Sequence, residues 1–168
     1  MAVEVEDWID KVCDVWGTVS NGKGGYVRAF YVYKRDEFPE TITAAMMPCV
    51  LTYTLNVGND VNAADSFDHW QGRSEFHLFP NVDKRNFPAM MLYFKRIRQA
   101  AAANIKLGLG ASGLHYFLLK SPYTRVSGVG ITGPVVMQYG SEDPHHGLIV
   151  DWLVKADVTE NTPVSEGS

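Results

Sequence analysis

One stretch, Phe87 to Leu107 (FPAMMLYFKRIRQAAAANIKL), limits what this chain can fold into. Pro88 stands at its front, where a missing N–H costs nothing because first-turn donors have no intrahelical partner. Met90, Phe94, Ile97, Ala101 and Ile105 follow at helical intervals and share one stripe. Ala100 to Ala103 carry the best helix propensity, and Asn104 and Gly108 offer exits. Burying Met90, Phe94, Ile97 and Ile105 contributes roughly 1.5–3 kcal/mol each. The spacing therefore predicts a helix over 87–107 that needs a sheet to cover.

The flanks supply that sheet. Val5, Trp8, Ile9, Val12, Val15 and Trp16 recur at helical spacing, with Glu4, Glu6 and Asp7 suited to the positive end of a helix dipole. A glycine-rich loop follows, and Tyr26–Arg35 reads as a strand. Asp36–Pro48 reads as a connection, and Cys49–Val57 alternates as a half-buried strand. Gly58–Gln71 shows little periodicity and reads as a long loop, the kind that carries function. Asp65, Phe67, His69 and Trp70 are its candidate interface residues. Arg73–Phe79 is the next strand. Beyond the central helix, Leu114–Lys120, Thr124–Val129 and Val135–Tyr139 read as strands, with Gly130–Pro134 separating the last two. Gly140–Gly147 reads as a turn. Leu148–Val158 closes the pattern, with Leu148, Val150, Trp152, Val154, Ala156 and Val158 on one face. The order predicts an α+β fold: a mainly antiparallel sheet with two amphipathic helices packed on one face. It forms a single domain over 1–159, and 160–168 reads as a flexible polar tail.

A chain of 168 residues that is 46% hydrophobic and 20% charged can bury a core without metal or disulfide support. Its net charge of −4 argues against a dedicated DNA-binding module, though not against a local basic patch. Cys13 and Cys49 fall among apolar neighbours and read as buried thiols. The acidic start Met1–Glu6 is unlike a signal peptide, and no apolar run reaches the ~20 residues a membrane span needs. A soluble protein made in the cytoplasm, with no membrane partner, is expected.

Sites of chemistry are scarce. Gly108–Gly113 spells G-x-G-x-x-G, yet a helix precedes it and a strand follows, the reverse of a dinucleotide site. Lys23–Phe30 resembles an RNA-binding strand only with its aromatic spacing displaced. Glu142, Asp143, His145 and His146, with Asp65, Asp68 and His69, are conceivable metal ligands, but adjacent histidines point apart and no i, i+4 pair occurs. They read as solvated turn residues. Ser112 lacks the G-x-S-x-G setting of a nucleophile. No catalytic residue, cofactor or metal is expected, and nothing demands an enzyme. The densest basic group is Lys84, Arg85, Lys95, Arg96 and Arg98. Lys95 and Arg98 share a helix face and Arg96 lies on another. Such a group is either a solvated face or a surface for phosphates or a neighbouring subunit.

Four segments, FYVYKRDEFPE, MMPCVLTYTL, RIRQAAAANIKLG and ITGPVVMQYGSEDPHHGLIVDWLVKADV, follow one another around the two helices. In pattern and element order the chain resembles the tail terminator, or tail completion, proteins of long-tailed bacteriophages. That resemblance implies a structural virion protein of the tail and neck. It implies a homohexameric ring that caps the tail tube and joins it to the head–tail connector. The partners would be further copies of itself, the tail tube protein, the connector and, through the basic residues in a channel, the genome end. A tail tube subunit or a head–tail joining subunit of the same particle is the alternative. A small metal-dependent hydrolase built on His145 and His146, or on Asp68 and His69, is the reading from another class.

Overall fold

The computed structural model describes residues 5–20, 30–34, 36–59, 68–104, 116–119, 130–140 and 143–156. The expected Thr124–Val129 strand, the Gly108–Gly113 linker, Tyr26–Ala29 of the first strand and the 160–168 tail lie outside these residues.

Helix α1 (Val5–Gly17) forms where the apolar stripe predicts it. It ends where Thr18 folds its hydroxyl back onto the Val15 carbonyl at 2.6 Å, satisfying one of the helix's last acceptors. Helix α2 (Phe87–Ala103) is entered through a single 3-10 turn, Lys84–Asn86. Asp83 opens that turn by accepting from the Arg85 N–H at 2.8 Å. The helix stops at Ala103, short of Leu107. Asn104 leaves helical geometry and its side-chain amide donates to the Ala100 carbonyl at 2.7 Å. Of the predicted stripe, Met90, Ile97 and Ala101 are buried and Phe94 partly so, while Ile105 lies outside the described residues.

Six strands are described: β1 (Tyr31–Tyr33), β2 (Cys49–Asn59), β3 (Asp68–Phe79), β4 (Tyr116–Leu119), β5 (Ile131–Met137) and β6 (His145–Ala156). The sheet runs β1-β2-β3-β6-β4, and β5 also pairs with β6. Only the β1–β2 pair is parallel among these. Both helices lie on one face, so the fold is the α+β domain the sequence predicts. Ile9, Val12 and Trp16 of α1 and Met90, Ile97 and Ala101 of α2 cover Val50, Phe76, Leu148, Val150, Trp152 and Val154. On the opposite face the 36–48 segment returns over β2, packing Phe38, Ile42, Met46 and Met47 on Cys49 and Leu51.

Expectations about the strands also need correction. Neither end of Gly58–Gln71 is loop: Gly58 and Asn59 finish β2, and Asp68–Gln71 begins β3, where it pairs with β2 on one side and β6 on the other. Gly130–Pro134 is not a separator either, because Ile131–Pro134 belongs to β5, with a register shift between Thr132 and Val135. Pro134 fits because it falls within that irregularity, in a strand that pairs with β6 alone among the described residues. Finally, His145–Gly147 starts β6 instead of finishing a turn.

Gly147 is required by contact. A Cβ there would stand 2.1 Å from the Phe76 carbonyl oxygen and 2.4 Å from the Met137 sulfur. Methionine can swing away, but a β3 main-chain oxygen cannot. Gly147→Ala is expected to destabilise by about 1–3 kcal/mol through overpacking, read as a lowered urea midpoint at unchanged slope.

Candidate functional site

Among the described residues, two places stand out as candidate sites. The first is a buried polar relay on the sheet face opposite the helices. Strand alternation puts Glu75 and His77 of β3 on that face, and antiparallel pairing brings His145 of β6 beside them. His77 Nδ1 and His145 Nε2 lie 2.6 Å apart, and neither residue is exposed. His77 Nε2 stands 3.2 Å from Glu75 Oε1, while Tyr53 of β2 donates its hydroxyl to the other Glu75 oxygen. At the far end His145 Nδ1 lies 3.2 Å from the Asp143 main-chain carbonyl. Tyr139 sets its ring at 78° to His77 and donates its hydroxyl to the Pro39 carbonyl.

The electrostatics follow from these contacts. The bond from His77 holds the Glu75 carboxyl below the usual carboxylate range, against the opposing effect of burial. Burial pushes His145 down, favouring its neutral imidazole. Burial and the Glu75 carboxylate both push the Tyr53 phenol up. Nearby Cys49 is pushed up to about 12 by burial, and Cys13 on the helix side to about 11. Both are free, buried thiols as expected, and neither has nucleophilic character at neutral pH.

His145 and His146 do point apart, but neither is a solvated turn residue. His146 is buried on the helix face, where its Nδ1 accepts from the Asp83 N–H at 3.3 Å and from the Asn86 amide at 3.1 Å. Of the other proposed ligands, Asp143 lends only its carbonyl here, Asp68 and His69 are placed within β3, and Asp65 and Glu142 lie outside the described residues. Among the described residues no three His, Cys, Asp or Glu side chains are grouped to hold a metal ion. The His77–His145 separation is a hydrogen bond, with no room for an ion between the nitrogens.

The second place is the outer side of α2. Phe87, Met91, Lys95 and Arg98 follow at i, i+4, i+8 and i+11, so they form one ridge. Met91 is 69% exposed, and Phe87 and Leu92 are also exposed. Met91, Phe94, Lys95, Arg98, Gln99 and Ala102 line one groove along the helix. The apolar end continues onto the sheet. Phe87 packs on the His146 ring at 5.8 Å, and the strand partner of His146 is the exposed Val136 of β5. The strip thus runs from apolar Val136, Phe87 and Met91 to basic Lys95 and Arg98.

The basic group is divided by this geometry. Lys95 and Arg98 border the strip, whereas Arg96 faces a separate groove with Thr18, Val19 and Ser20 at the end of α1. Lys84 is exposed on the entry turn, and Arg85 is engaged with Asp83 at 2.7 Å. Of the candidate loop residues, His69 and Trp70 lie in a strand paired on both sides, so they are not a free loop surface. Asp65 and Phe67 lie outside the described residues. No local signal in the sequence links Val136, a strand residue, to a helix ridge distant in the chain.

No protein-family profile matches the chain, and no curated protein is detectably similar to it. No helix among the described residues is long and apolar enough to cross a membrane.

Proposed function

We propose that the chain is a structural, non-enzymatic subunit of a tailed-phage virion: a tail terminator that closes into a hexameric ring between tail tube and head connector. The observation that carries this reading is the strip on α2. Large apolar side chains exposed together on a helix and an adjoining strand mark an interaction surface. The strip is rigidly mounted on buried Met90, Ile97 and Ala101. A closed ring needs two different patches per subunit. The α2 strip supplies one, and the far sheet edge at β1, with exposed Tyr31 against Tyr33, is the natural second. The helix–three strands–helix–strands order supports the same class by analogy of fold.

In such a ring Lys95 and Arg98 border the contact and face either a neighbouring subunit or phosphates in the channel. The tube-subunit alternative is separated from this one by copy number, since a terminator occurs in a single ring per tail and a tube subunit in many.

Light scattering of the purified chain, alone and with tail tubes, tests the proposal. The expected result is a hexamer, free or seated on tube ends. Met91→Glu should abolish assembly while moving stability by no more than about 0.5 kcal/mol, because the residue is surface-exposed. A wild-type monomer that also ignores tail tubes would overturn the reading.

A further inference from the structure

We propose that Glu75, His77 and His145 hold one excess proton in the neutral-pH fold and act as an acid-released latch between β3 and the start of β6. The inference stands apart from any role in a ring and rests on hydrogen-bond accounting.

A main-chain carbonyl can only accept, so the Asp143 contact requires a hydrogen on His145 Nδ1. If His145 is neutral, its Nε2 carries a lone pair and accepts from His77 Nδ1. His77 Nε2 then faces Glu75 Oε1, which accepts when ionised. Two acceptors cannot bond at that distance, so a proton must lie between them. Glu75 already accepts from Tyr53 on its other oxygen, which favours the carboxylate form. The proton therefore belongs to His77, as an imidazolium donating at both nitrogens. The buried charge is compensated by Glu75 within the same row.

Other titratable groups meeting this row are Cys49 and Tyr53 of β2, Arg73 of β3 and Tyr139 beyond β5. Arg73 is engaged by Asp151 of β6 at 2.9 Å. None of these accepts or releases a proton between pH 5 and 8 at its ordinary value.

Acid opens the latch. Among the two histidines, the next proton enters at His145 Nε2, where it would meet the His77 N–H head-on at 2.6 Å. Direction of the linkage is fixed by burial: the folded form of His145 resists protonation more than the unfolded chain. The His145 contribution is therefore complete above the ordinary histidine value of about 6.5, and it falls as pH drops from there toward the folded value. Glu75, held below its ordinary value, adds a loss in the same direction at lower pH. What loosens is the Asp143–His145 turn and the adjoining pair of Met137 with His145.

Imidazole nitrogen NMR of the full chain, with amide exchange over the same pH series, tests the latch. At neutral pH His77 should carry two protons and His145 one, on Nδ1. As His145 gains its second proton, protection at Met137 and Gly147 should fall while the centre of β3 stays protected. Glu75→Gln is isosteric and can donate to His77 Nε2, so in that variant His77 should revert to one proton. A singly protonated His77 in the wild type, or protection unchanged through the His145 titration, would refute the proposal. Should the variant fail to fold, the wild-type series decides alone.

Discussion

Phe76→Ala should lower the stability of this protein by about 3–5 kcal/mol, the range for removing a fully buried aromatic ring from a close-packed core. Phe76 is wholly buried at the middle of β3. Its ring meets Trp16 of α1 edge-on at 5.4 Å and Phe30 at 5.0 Å, and Phe30 in turn meets Tyr93 of α2 at 5.8 Å. One side chain thus ties the sheet to both helices. Cavity formation cannot be relieved by collapse, because sheet and helix backbones hold the surrounding walls apart. Urea unfolding gives the measurement, and Phe76→Leu should lose distinctly less. A loss below about 1 kcal/mol for the alanine variant would mean that the aromatic chain is not what joins the layers.

The second large effect is expected from a smaller side chain. Ser74 is completely buried, and its oxygen lies 2.8 Å from Trp16 Nε1, 3.1 Å from Trp152 Nε1 and 2.8 Å from Thr52 Oγ1. Both indoles can only donate, so they occupy the serine lone pairs and the serine hydrogen turns to Thr52. Thr52 then passes its own hydrogen toward Cys13, a contact that lowers the thiol's proton affinity against burial. Ser74→Ala removes an acceptor from two buried donors at once, at about 1–3 kcal/mol for each group so affected. We expect a total of about 2–4 kcal/mol, since the effects of residues sharing one network do not simply add. Thr52→Val removes one link and should cost about 1 kcal/mol. A double-mutant cycle between the two checks their coupling: independent losses would mean that no bond joins them.

How much of this was legible in the sequence depends on the range of the interaction. The α1 stripe, the buried side of α2 and the alternation of β6 follow from periodicity, and Leu148, Val150, Trp152 and Val154 are all fully buried as that alternation requires. Asn104 as the exit of α2 was likewise local information. Asp68–Gln71 departs from its loop-like pattern because its strand conformation comes from partners on both sides, which no local propensity records. Gly130–Pro134 has the composition of a separator because glycine and proline usually punctuate, whereas here Ile131–Pro134 rides in a strand with an irregular register. The histidine row was invisible for a related reason. His77 and His145 meet only through β3–β6 pairing, and neither neighbourhood signals a partner. The split of Lys95 and Arg98 from Arg96 was legible, since helix geometry alone decides it.

β6 is the last described strand of the chain, yet it is spatially central: β3 flanks it along one side, and β5 and then β4 share the other. Order of synthesis and order of assembly are therefore opposed. Until β6 leaves the ribosome, β3 presents an unpaired edge and the Phe76 side of the sheet lacks Leu148, Val150 and Trp152. Closing pairs so distant in sequence is slow compared with forming either helix. During that wait an open β3 edge can pair with another nascent copy as readily as with its own last strand. The chain's exposure to misassembly is thus concentrated in the interval before β6 is made, and it ends when that strand turns an edge into an interior.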